Sequence, residues 1–234
     1  MDSQLVVIPA HNEEKSIIGV INDLHKHGFY NIVVVDDAST DNTFSVANER
    51  VKVISLPYNL GAWKATQTGI RYGFENGYKQ VITFDADGQH LASSLSALVE
   101  HHSLGLFDIV IGSCLSRASL ARHLAWGLFR RLSGVKVQDL TSGLRVYNRK
   151  AMEVINLPEA TLLEYQDVGV LLLLKTHQIS KTESPVKMIK RKDGISRIFY
   201  SWGAVVYYMA YTGMLCLSKI AKMHRFSVSR KSSL

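Results

Sequence analysis

The stretch VITFDADGQH, residues 81–90, decides how this sequence is interpreted. Its first residues are apolar or β-branched and are typical of a buried strand. Asp85 and Asp87 follow one residue apart, at the point where such a strand ends. Two carboxylates in that position can reach one hard divalent cation, and Mg²⁺ or Mn²⁺ would bridge them to a diphosphate. A simple turn formed by Asp and Gly is the alternative interpretation.

Short apolar runs and longer helical segments alternate on both sides of this stretch. Strands are predicted at residues 5–9, 32–36, 51–56, 81–85 and 108–112, and helices at residues 13–27, from residue 41, at 62–76 and at 93–102. Strands that are apolar throughout and separated by helices predict an α/β fold, with a mainly parallel sheet covered by helices on both faces. In such sheets, ligands bind beyond the carboxyl ends of the strands.

A second polar cluster follows the predicted strand at residues 32–36. The carboxylates of Asp36 and Asp37 at this strand end could accept hydrogen bonds from a base N–H or a ribose hydroxyl. Residues 39–41 have the alternative role of capping the next helix. Residues 59–61, which read NLG, precede another helix, so their backbone amides could lie near a phosphate. A turn at Gly61 is an equally good interpretation.

The composition excludes several classes of protein. The 234 residues are 47% hydrophobic and 20% charged, with four prolines, which excludes extended disorder and fibrous repeats. The absence of G-x-S-x-G, P-loop and G-x-G-x-x-G motifs removes support for hydrolases, P-loop kinases and dinucleotide-dependent dehydrogenases. Two cysteines without metal or disulfide spacing fit a reducing compartment. The acidic Asp2 and a short apolar run predict a folded cytosolic domain here rather than a signal peptide.

Six segments in a fixed order resemble a known family. They are residues 7–14 (VIPAHNEE), 35–41 (VDDASTD), 59–61 (NLG), 85–90 (DADGQH), 139–145 (DLTSGLR) and 183–196 (ESPVKMIKRKDGIS). Together they resemble the signature of family-two glycosyltransferases, most closely the dolichyl- or polyprenyl-phosphate sugar transferase branch. The resemblance covers about residues 5–200 and implies a GT-A (Rossmann-like) fold.

The resemblance implies a donor site for a nucleotide-sugar of the UDP or GDP type. The residues implied to hold the base and ribose are Pro9, Ala10, Glu13 and Asp36, and Asp37 joins them as a donor-site candidate on its position beside Asp36. Asp85 and Asp87 match ligands of Mg²⁺ or Mn²⁺ and of the diphosphate, and Gln89 matches a residue near the transferred sugar. One departure is His11, which stands where the family usually has Tyr.

The acceptor side is implied by basic residues further along the chain. Arg145 and Arg191 match residues that face phosphate groups, and Ser142 belongs to the same motif as Arg145. A second departure is Cys114, which replaces the Arg of a G-S-R motif. The substitutes that the sequence offers for this missing charge are Arg117 and Arg122.

The family inverts configuration, so the acceptor oxygen attacks opposite the leaving nucleoside diphosphate. An acceptor phosphate is already ionised and needs no strong base, whereas a sugar hydroxyl requires a carboxylate to take its proton. The candidates for that base are Asp167 and Glu164, and exposed acids at a helix start are the alternative interpretation. The predicted catalytic set is therefore Asp87, Gln89 and Asp167.

The C-terminal part of the chain differs from the rest in charge. Residues 175–234 contain 12 Lys or Arg and 2 Asp or Glu, whereas residues 198–218 contain no charge. Tyr208 and Thr212 lie on a polar stripe at helical spacing. Basic residues flank the uncharged segment on both sides, which favours a helix lying in the headgroup layer of the cytoplasmic leaflet over a spanning helix. A helix in the core or at a dimer interface is the alternative.

The sequence therefore predicts two parts, a GT-A domain at residues 1–197 and a C-terminal aromatic and basic helix and tail at 198–234. We expect a metal-dependent transferase, peripherally bound to the cytoplasmic membrane, that uses a polyprenyl phosphate acceptor. One alternative acceptor is a glycan hydroxyl in polysaccharide synthesis. Another alternative is a silent relative that binds membrane or nucleic acid, although Asp85 and Asp87 argue against silence and the chain has no recognised nucleic-acid motif.

Overall fold

The computed structural model describes residues 4–117, 120–189 and 202–231. Their centre is a seven-stranded sheet with the strand order β3-β2-β1-β4-β6-β5-β7. The strands are β1 (Gln4–Ala10), β2 (Ile32–Asp36), β3 (Lys52–Ser55), β4 (Gln80–Thr83), β5 (Ile109–Ser113), β6 (Arg145–Asn148) and β7 (Lys181–Pro185). Strand β6 is antiparallel to both of its neighbours, and the other pairs are parallel.

Helices cover both faces of this sheet. They are α1 (Ile17–Lys26), α2 (Thr43–Asn48), α3 (Ala62–Glu75), α4 (Leu95–Ser103), α5 (Leu120–Ser133), α6 (Arg149–Ile155), α7 (Pro158–Thr161), α8 (Val168–Thr176) and α9 (Trp202–Lys231). Helices α1, α2 and α4 enclose one apolar core with the sheet, and α3, α5, α6, α8 and α9 enclose the other. The predicted α/β fold with helices on both faces is confirmed.

Helix α3 lies unusually close to the sheet because two of its inward residues are glycines. A Cβ atom on Gly69 would lie 2.1 Å from Cγ1 of Val7 on β1, and a Cβ atom on Gly73 would lie 2.5 Å from Cγ2 of Val81 on β4. The helix therefore rests directly on the two central strands whose ends carry the polar clusters. The distance between the helix axis and the sheet is therefore set by the absence of a side chain at these two glycines.

Helix α9 packs on the domain through one stripe of side chains. Tyr208, Thr212 and Cys216, spaced four residues apart, are buried against α5 and α8. Of the polar stripe predicted from the sequence (Ser201, Tyr208, Thr212 and Lys219), Tyr208 and Thr212 thus face inward, and the side chains of the other two lie outside the described residues. Apolar side chains such as Val206 and Met214 face outward with about two thirds of their surface exposed. Within the described part of the chain, no helix combines the length and apolarity that crossing a membrane requires. The predicted domain boundary at residue 197 lies outside the described residues.

Candidate active site

Most of the described polar residues predicted from the sequence lie at one edge of the sheet, where the carboxyl ends of the parallel strands meet. Strands β1, β2 and β4 end at this edge with Ala10, Asp36 and Thr83. Because β6 runs in the opposite direction, it begins where they end, and Arg145 pairs in register with Thr83. The reversal of one strand therefore brings a motif from the second half of the chain to the site formed by the first.

The loops that follow β1 and β2 are fastened to each other. His11 Nδ1 lies 2.8 Å from the carbonyl oxygen of Asp37, the amide of Asn12 donates to Ser39 Oγ at 2.9 Å, and the amide of Thr40 donates to Asn12 Oδ1 at 2.7 Å. Asn12 has a φ of 53°, a conformation that Asn tolerates better than most residues. The histidine that replaces the family's usual Tyr therefore takes part in holding these loops.

Asp36 has a buried carboxylate oxygen that is available to a ligand. Its side chain ends β2, and the residue is only 2% exposed. Oδ2 accepts a hydrogen bond from Ser55 Oγ at 3.4 Å, whereas Oδ1 has no hydrogen-bond partner among the described residues. A buried carboxylate oxygen without a donor is costly. A ribose hydroxyl or a base N–H would satisfy it.

The neighbouring Asp37 is occupied by the protein itself. Its two carboxylate oxygens accept hydrogen bonds from the backbone amides of Leu60 at 2.7 Å and Gly61 at 2.8 Å. These contacts fix the loop before α3, where Gly61 has a φ of 89°. The expectation that these amides face a phosphate is corrected, because both donate to Asp37. The contacts give Asp37 a role in holding the loop, and its place at the nucleotide stays a prediction.

The remaining predicted donor residues lie beside Asp36. Pro9 and Ala10 pair in register with Val35 and Asp36 at the ends of β1 and β2. The backbone amide of Glu13 donates to Thr43 Oγ1 at 2.7 Å, and its carboxylate accepts from Ser16 Oγ at 2.8 Å. The fold therefore brings these four predicted residues to neighbouring positions on one edge.

Asp85 lies between a histidine and a glycine. His90 is buried, and its Nε2 lies 3.3 Å from Asp85 Oδ2. On the other side, a Cβ atom on Gly143 would lie 2.7 Å from Asp85 Oδ1, so no larger residue fits there without movement. The Asp85 side chain keeps 39% of its surface exposed. Its carboxylate is thus restricted in position yet open toward the site.

Asp87 and Gln89 form a small unit next to Asp85. Asp87 accepts hydrogen bonds from the backbone amide of Gln89 at 3.0 Å and from its side-chain Nε2 at 2.6 Å. No group of three or more His, Cys, Asp or Glu side chains converges on one point within the described ranges. Two carboxylates fit Mg²⁺ or Mn²⁺, because such ions keep several water or phosphate ligands.

Arg145 is fully buried at the start of β6. Its Nε donates to the carbonyl oxygen of Ser142 at 3.0 Å, and its Nη1 and Nη2 have no hydrogen-bond partner in the described parts of the chain. The Ser142 hydroxyl donates to the carbonyl oxygen of Gly112. Ser142 was expected at a phosphate, but this bond uses its one proton. Within residues 139–145, Arg145 therefore has the side-chain donors that are available to a ligand.

Asp167 is buried rather than exposed, which overturns the alternative of a solvated acid at a helix start. It is 7% exposed at the beginning of α8. Burial raises the pKa of its carboxyl group, although the nearby Tyr208 hydroxyl and the charge of Arg145 act in the opposite direction. Glu164 instead accepts hydrogen bonds from the Tyr207 hydroxyl at 2.9 and 3.1 Å.

The other predicted acceptor residues are described only in part. Arg191 and the side chain of Arg117 lie outside the described residues, and Arg122 is half-buried in the first turn of α5. Cys114, where the family usually has Arg, is buried, and its backbone amide donates to Asp139 Oδ2 at 3.2 Å. These three arginines stay predictions for the acceptor side.

The sequence profile described as glycosyl transferase family 2 matches residues 5–155. The chain belongs to this family. It is a glycosyltransferase of GT-A fold that uses a nucleotide-sugar donor, as the sequence motifs predict.

Named relatives support the narrower resemblance as well. The UDP-N-acetylglucosamine–dolichyl-phosphate N-acetylglucosaminyltransferase of Methanococcus voltae is 29% identical, over 82% of this chain and 88% of its own. The polyprenol monophosphomannose synthase of Mycolicibacterium smegmatis is 29% identical, over 83% of this chain and 80% of its own. The predicted resemblance to the dolichyl- and polyprenyl-phosphate branch is confirmed.

Solved structures agree on the fold. Glucosyl-3-phosphoglycerate synthase of Mycobacterium tuberculosis in complex with phosphoglyceric acid superimposes with a TM-score of 0.70 at 20% identity, covering 93% of this chain and 80% of its own. The same enzyme in complex with Mn²⁺, UDP-glucose and glycerol 3-phosphate gives a TM-score of 0.67 at 21% identity, with the same coverage.

Three residues of the site carry roles that sequence reasoning missed. His90 and Gly143 lie within the segments that resemble the family, but the resemblance implies no function for them. Tyr208 is predicted only as part of a polar stripe. The periodic spacing of Tyr208 and Thr212 was the available signal. It could not show which partner these residues meet, because that depends on how α9 packs.

Proposed function

We propose that this glycosyltransferase transfers a sugar, with inversion, from a nucleotide-sugar to a polyprenyl phosphate at the cytoplasmic face of a membrane, using Mg²⁺ or Mn²⁺. The observation that carries the proposal is the convergence of complementary groups on one sheet edge. Among the described residues, Asp36 offers an unpaired acceptor, Asp85 and Asp87 offer metal ligands, and Arg145 offers unpaired cationic donors. The two relatives named above, a dolichyl-phosphate N-acetylglucosaminyltransferase and a polyprenol monophosphomannose synthase, support this acceptor class.

At the donor end, Asp36 holds the nucleoside. Its buried Oδ1 would accept a hydrogen bond from a ribose hydroxyl or a base N–H, which replaces the water that the carboxylate loses on folding. The ends of β1 and β2, with Ala10 and Pro9, form the adjoining backbone. This contact is the same before and during transfer, so it contributes to donor affinity rather than to the chemical step.

At the centre, Asp85 and Asp87 would hold the divalent ion. When bound, such an ion stabilises the charge that grows on the leaving diphosphate. His90 and Gly143 restrict the Asp85 carboxylate, and Gln89 donates to Asp87. These contacts keep both carboxylates in place before substrates arrive, which reduces the reorganisation needed during the reaction.

At the acceptor end, the burial of Asp167 favours an acceptor that arrives ionised. A general base must reach the proton it removes, but Asp167 is buried beside Tyr208 and is only 7% exposed. A phosphate acceptor needs no such base. Nη1 and Nη2 of Arg145, which have no partner in the part of the chain that the structure describes, are suited to a phosphate, because guanidinium groups bind phosphate with two parallel hydrogen bonds.

The outer face of α9 supports peripheral binding to a lipid surface. Val206, Tyr207, Met214 and Leu217 on α9 are between 53% and 70% exposed. Helix α5, which packs against α9, exposes Leu124 and Leu128 as well. Apolar and aromatic side chains on one helix face, with basic residues nearby, are typical of helices that lie in the headgroup layer.

The direct test is transfer from a panel of radiolabelled nucleotide-sugars, with and without a polyprenyl phosphate in detergent. We expect label to move into the organic phase with one donor, and to do so only with the phosphorylated lipid and not with the matching polyprenol. EDTA and the variant Asp85→Asn should abolish this transfer, and Mg²⁺ or Mn²⁺ should reverse the effect of EDTA. Label in a water-soluble glycan, or full activity in EDTA, would contradict the proposal.

A further inference from the structure

The hydroxyl group of Thr83 joins strand β4 to the segment that leads into β6. Thr83 is the last residue of β4 and is 1% exposed. Its Oγ1 donates a hydrogen bond to the carbonyl oxygen of Gly143 at 2.5 Å and accepts one from the backbone amide of Arg145 at 3.2 Å. A hydroxyl group has one proton and can also accept, so this single group holds both ends of residues 143–145.

The carbonyl side of this contact lies next to the proposed metal site. Asp85 follows Thr83 by two residues, and a Cβ atom on Gly143 would lie 2.7 Å from Asp85 Oδ1. The backbone of Gly143 therefore forms one wall beside the Asp85 carboxylate. Because Thr83 holds the carbonyl group of Gly143, its hydroxyl fixes that wall relative to the strand from which Asp85 continues.

The amide side of the contact leads to the proposed acceptor site. Thr83 and Arg145 pair in register, and Arg145 is fully buried. Arg145 Nε donates to the carbonyl oxygen of Ser142 at 3.0 Å, so its side chain is held by the same segment as its backbone. Buried groups that lose a hydrogen bond have no water to replace it. The position of the guanidinium group therefore depends on the contact with Thr83.

We propose that Thr83 is a positioning residue of the transfer site, which sets where the acceptor phosphate at Arg145 lies relative to the metal ion at Asp85. The inference rests on the proposed function in assigning the metal to Asp85 and the phosphate to Arg145. It goes further in identifying a residue outside the six segments that resemble the family, and in making the two sites depend on one hydroxyl group. The spacing matters because the acceptor oxygen must be aligned with the bond to the leaving diphosphate.

The test is the variant Thr83→Val, which removes the hydroxyl group and keeps the shape of the side chain. With both substrates and Mn²⁺ saturating, we expect kcat to fall roughly 10- to 100-fold, because a misplacement of about 1 Å has an effect of this size. The KM for the nucleotide-sugar should stay near its original value, since the nucleoside is held at Asp36. Thr83→Ser keeps the hydroxyl group and should retain most of the kcat.

Thr66→Val is the matched control. Thr66 is also 1% exposed, and its hydroxyl donates to the carbonyl oxygen of Ala62 at 2.7 Å. This variant also loses a buried hydrogen bond, but that bond joins two residues of helix α3, so kcat should be unchanged. Equal kcat in the wild type and Thr83→Val, or an equal loss of kcat in the two valine variants, would overturn the inference.

Binding measurements without catalysis separate this inference from the proposed function. Mn²⁺ binding is followed by electron paramagnetic resonance and farnesyl phosphate binding by calorimetry, in the wild type, Thr83→Val and Thr83→Ser. We expect Thr83→Val to weaken both by roughly tenfold, as for outer partners of metal ligands, and Thr83→Ser to weaken neither. Unchanged affinity of Thr83→Val for either ligand would overturn the inference. A wild type that binds both ligands but transfers no sugar to a lipid phosphate would contradict the proposed function alone.

Discussion

At the residue scale, the position of the Asp85 carboxylate depends on two neighbouring residues that are not themselves proposed as metal ligands. Asp85 lies between the ring of His90, 3.3 Å away, and the bare Cα of Gly143. The histidine restrains one oxygen and the glycine leaves room for the other. A metal site made of two carboxylates depends strongly on such support, because it has few ligands to fix its geometry.

The variant Gly143→Ala tests this support. Its methyl group would lie 2.7 Å from Asp85 Oδ1 and push the carboxylate aside. We expect Mn²⁺ affinity to fall by roughly 10- to 100-fold, the range for outer partners of metal ligands. Mn²⁺ binding is followed by electron paramagnetic resonance. Gly19→Ala, whose added methyl meets nothing within 4 Å, is the control. Unchanged Mn²⁺ affinity in Gly143→Ala would show that the carboxylate position is not critical.

The two adjacent aspartates after β2 should respond differently to the same change. Asp36→Asn should raise the KM for the nucleotide-sugar roughly tenfold and leave kcat at saturating donor nearly unchanged, because the lost contact is present throughout the reaction. Asp37→Asn should instead lower the melting temperature, since Asp37 receives the amides of Leu60 and Gly61. Steady-state kinetics and thermal unfolding of both variants check this. A large fall in kcat for Asp36→Asn would assign it to the chemical step.

At this scale, the sequence predicted positions better than contacts. Asp36 and Asp85 were found because each directly follows an apolar strand, and strand ends meet at one edge. The partners of Asp37 and Ser142 could not be predicted, because they belong to loops far along the chain that come close only after folding. The burial of Asp167 depends in the same way on the packing of α9.

At the scale of elements, the close approach of α3 to the sheet limits the size of the side chains that fit on the inner face of the helix. Gly69→Ala would place a methyl group 2.1 Å from Val7 Cγ1. We expect a loss of about 1–3 kcal/mol in the free energy of unfolding, typical of overpacking. Gly127→Ala in α5, where the added methyl meets nothing within 4 Å, should be neutral or slightly stabilising. Urea denaturation of both variants is the measurement, and equal midpoints would contradict the close approach.

Asp108 ties three elements together at the far end of the sheet. It accepts hydrogen bonds from Asn148 at 3.0 Å, Ser180 at 2.8 Å and Lys150 at 3.0 Å. Burial by itself raises the pKa of Asp108, but these bonds outweigh it and lower the pKa to about 2. The folded state therefore binds the proton less tightly than the unfolded chain does. The stabilisation is complete above about pH 4 and is lost as the pH falls toward 2.

This difference corresponds to about 2 kcal/mol in the free energy of unfolding. We expect the wild type to lose about that much more stability than Asp108→Asn between pH 5 and pH 2. Urea denaturation at both values measures it. The comparison with Asp108→Asn removes the contribution of the other carboxyl groups. Parallel losses in both proteins would show that Asp108 is not stabilised in its ionised form.

The strands that the sequence did not predict are the two short strands β6 and β7. Strand β6 has four residues and begins with an arginine, and β7 reads KTESP at the edge of the sheet. Edge strands are often short and polar, and β-propensity depends on burial that the local sequence does not specify. The five predicted strands are mainly apolar, which is why the sequence predicts them.

At the scale of the whole molecule, α9 presents two different faces to two different environments. Its buried stripe of Tyr208, Thr212 and Cys216 contacts the domain, and Val206, Met214 and Leu217 point away from it. The sequence predicted the helix and its polar stripe but not which face would turn inward. The orientation of the helix depends on its packing against α5 and α8, which the local sequence does not specify.

The outer face can be tested without disturbing the inner one. The double variant Val206→Glu and Leu217→Glu should release the protein from liposomes that contain anionic lipid, because two charges would enter the headgroup region. High salt should release the wild type only in part, since apolar side chains remain inserted. Leu104→Glu and Leu106→Glu together, which alter exposed leucines before β5, are the control. Sedimentation with liposomes measures binding, and unchanged binding of the α9 variant would exclude this face as the contact.

The reversed strand β6 also divides the active site according to chain order. The residues proposed to hold the donor and metal all occur by residue 90, in a run of consecutive parallel units. The residues proposed for the acceptor all follow β5 in the chain. Among them, Arg145 lies at the sheet edge because it begins the antiparallel strand β6. Insertions, deletions or recombination in the second part can therefore leave the nucleotide pocket intact, provided that Gly143 beside Asp85 is kept. The same nucleotide-binding first half can then be combined with second halves that recognise different acceptors.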